Sequence, residues 1–178
     1  MKYRFKNLFL NFINIIHICL MKSASSSEIK SALHNLSPNE LMQICLRLAK
    51  HKKENKELLS YLLYEADNEI QYIVHIKLEI EQYFSNLTAS NFSNLLKKIR
   101  KVVRIANKYI KFSGKKNVEV AVLIYVCQQL KPYTKQASSV ALMNLYHRQI
   151  IKINKALIQL EEDLQYDYKQ EIASIQIP

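Results

Sequence analysis

Apolar residues recur every three or four positions along most of this chain, which predicts a series of helices that each bury one face. The clearest case is residues 91–113, where a second pattern of basic residues accompanies the first. The predicted buried face of this segment consists of Leu95, Ile99, Val102, Ala106 and Tyr109. Gly114 follows directly and is expected to end the helix in a left-handed conformation.

The basic residues of this segment repeat with the same spacing but on the opposite side of the helix. Position 97 lies about 160° from position 99 at 100° per residue, so one face is apolar and the other is cationic. Phosphate groups and other anions are bound by such rows of Lys and Arg. The predicted anion-binding residues are Lys97, Lys98, Arg100, Lys101, Arg104, Lys108, Lys111, Lys115 and Lys116.

Three further helical signals stand out. Ser37, Pro38 and Glu40 form a capping box that predicts a helix beginning at Pro38, with Leu41, Ile44, Cys45 and Leu48 turned inward. Residues 118–130 are apolar on most sides, which predicts a central buried helix that stops at Pro132.

The last helical signal is a heptad pattern that predicts one long C-terminal helix. Alternating gaps of three and four are typical of a bundle or coiled-coil edge, and they do not distinguish packing within the chain from association with a partner. The predicted interface residues are Met143, Tyr146, Ile150, Ile153, Leu157, Leu160 and Leu164.

Composition agrees with a helical protein. The chain of 178 residues has one Gly and three Pro, too few turn-forming residues for a fold rich in strands. We therefore expect an all-α protein, an irregular bundle of six or seven helices with a long C-terminal helix, and a short α-solenoid as the alternative. Residues 23–178 are expected to form a single helical domain.

Residues 1–22 have the outline of a weak signal peptide, with basic residues followed by an apolar run from Leu8 to Leu20. Asn11, Asn14 and His17 interrupt that run, so Met21 is an alternative start. We expect a cytoplasmic protein without an integral membrane span in the mature domain; the alternative is export or peripheral membrane attachment. Buried free thiols are expected at Cys19, Cys45 and Cys127.

Charge is unevenly distributed. The formal net charge is +11, and residues 88–160 contain 14 Lys or Arg but a single acidic residue. Residues 161–178 contain five acidic residues and one Lys, so this acidic end is a candidate cover for the basic helix. The imbalance points to an anionic partner, and the alternative is a simply solvated surface.

Motifs for catalysis and cofactors are missing. One Gly cannot build a phosphate-binding loop or a dinucleotide turn, and the five His are scattered without the spacing of metal ligands. The sequence gives no nucleophile, base and orienting group that suggest an enzyme, and no cofactor is expected.

Two hypotheses follow. The first is a non-catalytic helical protein that binds the backbone of nucleic acid, or another polyanion, through residues 91–113. Asn107, Tyr109 and Phe112 are the only nearby candidates for reading bases, so little sequence preference is expected. The alternative is a structural bundle that self-associates or docks a protein partner through the heptad face.

Overall fold

Helices account for nearly all of the chain that can be described. The computed structural model describes residues 23–87, 92–136 and 139–176; residues 1–22, with the leader and Cys19, lie outside them. These residues contain eight helices and no strand. The helices are α1 Ser26–His34, α2 Pro38–His51, α3 Lys53–Tyr64, α4 Glu69–Ser85, α5 Phe92–Ser113, α6 Lys116–Gln136, α7 Val140–Leu157 and α8 Glu162–Ile175. The all-α multi-helix fold is thus confirmed, with more helices than the six or seven expected.

The chain divides into two compact units, one ending at His51 and the other beginning at Lys52. The boundary falls between α2 and α3, within the polar stretch around residue 52. The single domain expected for residues 23–178 stays a prediction.

The described part of the first unit comprises α1 and α2, and both begin with a capping box. Ser37 accepts from the Glu40 amide at 3.4 Å while Glu40 accepts from the Ser37 amide at 2.8 Å, as the sequence predicts. Ser25 and Glu28 repeat the arrangement at α1.

The inward face predicted for α2 is wrong, because no residue of α1 or α2 is buried. Ile44, Cys45 and Leu48 are exposed, and Leu41 is only partly covered. The expected buried thiol at Cys45 is therefore exposed. Helical spacing identifies an apolar face of a helix but not what covers that face.

In the second unit, α6 is the central helix and contacts α4, α5, α7 and α8. Its residues Val118, Val120, Val122, Leu123, Ile124 and Leu130 are all fully buried. The Cys127 thiol is also buried here, and burial raises its pKa to about 12. One helix packed by four others is a bundle rather than a stack of helix pairs, and the central position predicted for residues 118–130 is confirmed.

Two predicted helix boundaries are wrong. Pro132 does not end α6, which continues to Gln136 with the proline inside its last turns. The long C-terminal helix is two helices, because α7 ends at Leu157 and α8 begins at Glu162. The acidic residues Glu162 and Asp163 occupy the first turn of α8, where negative charge is favourable for the helix dipole.

Tyrosine contacts connect α4 and α5. The Tyr72 hydroxyl donates to the carbonyl of Tyr109 at 3.0 Å, and Lys101 of α5 lies over the Tyr83 ring. These pairs join the start of α4 to the end of α5 and the end of α4 to the middle of α5, so the two helices run antiparallel.

Candidate nucleic-acid interface

The amphipathic character predicted for α5 is confirmed. Ile99, Val102 and Ala106 are buried in the core, whereas Leu95 and Tyr109 pack at its edge with partial exposure. The left-handed end is confirmed too, since Gly114 has φ +64° and its amide donates to the Ile110 carbonyl at 3.0 Å. Packing of the apolar face on α6 leaves the opposite, basic face of α5 at the surface.

The residues of α5 include no Asp or Glu, so its outer face carries charge of one sign. Seven of the nine predicted anion-binding residues on this helix and just beyond it are exposed, and Lys108 and Lys116 are partly covered. The exposed basic residues of α5 itself are Lys97, Lys98, Arg100, Lys101, Arg104 and Lys111.

Cations near the C-terminal end of α5 are paired with acids from other helices. Lys108 Nζ lies 2.7 Å from a Glu57 carboxylate oxygen, and Lys115 Nζ lies 3.1 Å from Glu69. Lys116 pairs with Glu119 at 2.8 Å within its own helix. These pairs contribute little to stability individually, but they neutralise the positive charge at this end. The acidic segment from residue 161 supplies none of the described ion pairs of the basic residues.

The basic residues without an ion-pair partner form a smaller cluster that is available to bind an anion. Within the described part of the chain, Lys97, Arg100, Arg104 and Lys111 have no ion-pair partner, and Lys101 Nζ lies 5.5 Å from the centroid of the Tyr83 ring. Residues 97 to 104 span about 10 Å along the helix at 1.5 Å per residue. We call Lys97, Arg100, Lys101 and Arg104 the basic cluster.

The side chains that the sequence suggested for reading bases are engaged elsewhere. Asn107 donates to the Val103 carbonyl and accepts from Lys152 Nζ at 2.7 Å, and Phe112 is buried. Tyr109 is partly buried, and burial together with the nearby Glu79 carboxylate raises its pKa well above the ordinary value. Its hydroxyl therefore stays protonated near neutral pH.

A groove that the sequence pattern did not predict lies on α4. It has a volume of about 520 Å³ and is lined by His75, Leu78, Glu79, Gln82, Tyr83 and Asn86. These positions follow one another at alternating steps of three and one, so they form one stripe along the helix. The signal was present as a mainly polar row beside the apolar one, but polar rows on helices are usually solvated surface.

The heptad residues occupy two different environments. Tyr146 and Ile153 are buried in the core of the second unit, whereas Met143, Ile150, Leu157, Leu160 and Leu164 are partly covered. A protein interface through this face stays a prediction. The exposed parts of the partly covered residues would form its contact surface.

Other kinds of site lack support in the described residues. No three His, Cys, Asp or Glu side chains of that part lie together in a way that suits a metal ion. None of its helices combines the length and the apolar character needed to cross a bilayer. A comparison of the chain with protein-family models, curated proteins and solved structures finds no match.

Proposed function

We propose that this protein binds the phosphate backbone of nucleic acid through the basic cluster on α5. The observation that supports the proposal is that Lys97, Arg100 and Arg104 are exposed and have no ion-pair partner among the described residues. Acids pair with Lys108, Lys115 and Lys116 at the other end of the same basic surface, so within the described residues most of the unpaired charge lies at residues 97–104, with Lys111 beyond them.

The chemistry of the cluster suits phosphate. A guanidinium group donates two parallel hydrogen bonds to phosphate oxygens, and Arg100 and Arg104 are one helical turn apart. Lysines 97 and 101 add point charges on either side of Arg100. Because α5 packs on α6, the backbone positions that carry these side chains are fixed before an anion binds.

Salt dependence is the direct test. Neutralising four phosphates predicts a slope of log K against log salt of about −4 for duplex DNA and about −3 for single strands. Labelled single-stranded and duplex oligonucleotides are titrated with the full chain at several salt concentrations, with anisotropy as the readout.

A pair of triple variants locates the site. Lys97→Glu, Arg100→Glu and Arg104→Glu together should abolish binding near physiological salt while the helical circular dichroism is retained. The control variant carries Arg148→Glu, Lys155→Glu and Lys169→Glu, which change the net charge equally at exposed positions of α7 and α8. It should retain most of the affinity.

Three outcomes contradict the proposal. The first is no oligonucleotide binding even at low salt. The second is an equal loss in both triple variants, which would indicate attraction by net charge alone. The third is binding to vesicles of anionic lipid without binding to oligonucleotides, since a membrane surface attracts the same cations.

The alternative function, protein docking through the heptad face, has a different readout. Sedimentation of the full chain across a concentration series reports self-association, which the backbone-binding proposal does not require. Replacing the partly covered Ile150 and Leu157 with Ala would shift such an equilibrium toward the monomer.

A further inference from the structure

The groove on α4 differs chemically from the basic cluster beside it. Among the described residues, its lining contains one carboxylate, Glu79, and neither Lys nor Arg. A phosphate would be repelled by Glu79, whereas a flat neutral ring is not. The remaining side chains are an aromatic ring, two amides and an imidazole, which stack on a base or hydrogen-bond to its edges.

The two surfaces meet at one contact between side chains. Lys101 belongs to the basic cluster, Tyr83 lines the groove, and the Lys101 ammonium lies 5.5 Å from the centroid of the Tyr83 ring. A nucleotide whose phosphate is bound by Lys101 therefore has its base within reach of Tyr83. Tyr83 is partly exposed, and Gln82 and Asn86 beside it are exposed.

The size and chemistry of the groove favour an unpaired base. A volume of about 520 Å³ lies in the range of sites for small molecules and holds one or two bases, but not a duplex. Stacking on an aromatic side chain requires a base that is not stacked on its neighbours. In a single strand, unstacking a base costs little free energy.

We infer that the groove on α4 binds an unstacked base of single-stranded nucleic acid, with Tyr83 as the stacking platform and the Gln82 side chain as a hydrogen-bonding group. The Asn86 amide donates to the Gln82 carbonyl at 2.8 Å, so Asn86 contributes its side-chain oxygen as an acceptor. This inference rests on the proposed backbone binding by α5. The preferred ligand is then a single strand whose phosphates contact α5 and one of whose bases lies in the groove on α4.

Tryptophan fluorescence tests the stacking at the site itself. The protein contains no Trp, so Tyr83→Trp introduces a single indole at the groove. Oligothymidylate of 15 nucleotides should quench its emission by about half or more, because a stacked base quenches an indole, whereas a 15-base-pair duplex should leave it nearly unchanged.

A matched control is present elsewhere in the molecule. Tyr166 is exposed, and Lys169 Nζ lies 5.3 Å from its ring centroid, so it repeats the tyrosine–lysine pair outside the groove. Tyr166→Trp should show no quenching with either oligonucleotide. Equal quenching of both variants would overturn the inference.

Affinity gives an independent measure. Tyr83→Leu should weaken single-strand binding about 10-fold, within the range measured for one stacked base, without changing the salt slope or duplex binding. Tyr83→Phe should keep the wild-type affinity because the ring remains.

The inference and the proposed function fail in different ways. If oligonucleotides bind with the expected salt slope but Tyr83→Trp is not quenched and Tyr83→Leu binds normally, the base site is wrong and backbone binding stands. If no oligonucleotide binds at any salt concentration, both are wrong.

Discussion

At the scale of single residues, Tyr146 shows how one polar atom is satisfied in the core. Its side chain is 1% exposed, and its hydroxyl donates to the carbonyl of Ile175 in α8. Burial, with a smaller effect of Cys127, raises the pKa of Tyr146 to about 12. The neutral hydroxyl therefore connects α7 to α8 over the whole physiological pH range.

The raised pKa predicts a loss of stability at high pH. Between pH 10 and 12 the unfolded chain releases the Tyr146 proton and the folded chain keeps it, so the free energy of unfolding falls as pH rises. Tyr146→Phe should be less stable than wild type by about 1 kcal/mol below pH 10, where the hydrogen bond is lost, and should depend less on pH above it.

Urea unfolding followed by circular dichroism from pH 9 to 12 measures both effects. Tyr166→Phe, at a position that is 70% exposed, is the control and should follow the wild-type curve. Parallel curves for wild type and Tyr146→Phe would show that Tyr146 does not control this pH dependence.

At the scale of helices, α7 separates core from surface within two residues. Ile153 is 0% exposed, and Ile151 on the same helix is 52% exposed. Because successive residues differ by about 100° around the helix, the two side chains point to different sides. Ile153 belongs to the buried core, whereas Ile151 lies at the surface.

This difference predicts unequal effects of the same substitution. Ile153→Ala should lower the free energy of unfolding by about 2–5 kcal/mol, because it removes buried methyl groups and leaves a cavity. Ile151→Ala should change it by less than about 0.5 kcal/mol. Denaturant unfolding of both variants is the measurement, and similar losses would mean that Ile151 is also covered, for example by a second copy of the chain.

Periodicity in the sequence predicted faces of helices well and their ends less well. The two faces of α5 followed from local spacing, and Gly114 marked its end because only glycine adopts φ +64° without strain. The heptad pattern crossed the break after Leu157, since apolar residues retain their spacing on both sides of it. Spacing records which side of a helix is apolar, not whether the helix continues.

The candidate site was predictable only in part for a related reason. A row of cations is a local pattern, but the pairing of Lys108 with Glu57 joins residues 51 positions apart and depends on how α3 packs against α5. The contact between Tyr83 and Lys101 likewise depends on the antiparallel packing of α4 and α5. Such contacts between helices have no signature in the spacing of either helix.

At the scale of the whole molecule, the core belongs to the unit that begins at Lys52. Every buried residue in the described part of the chain lies in this unit, from Tyr61 to Ile175. The basic cluster and the groove on α4 lie in it as well, so this unit contains all the residues assigned to nucleic-acid binding.

Removing the first unit is therefore expected to have little effect. A chain of residues 52–178 should unfold within a few degrees of the full chain and bind oligonucleotides with a similar salt slope. Removal of residues 162–178 is the contrasting truncation, because it takes away the buried Ile175 and the acceptor for Tyr146. Thermal unfolding compares the two, and a large drop after the first truncation would contradict the division.

The central position of α6 has a consequence for synthesis on the ribosome. The helices α4 and α5 are made before the helix that covers them, and α7, its most extensive neighbour, is made afterwards. Their apolar faces stay open to chaperones in the interval. Because Ile175 is also a core residue, the core closes only after residue 175 has emerged from the exit tunnel.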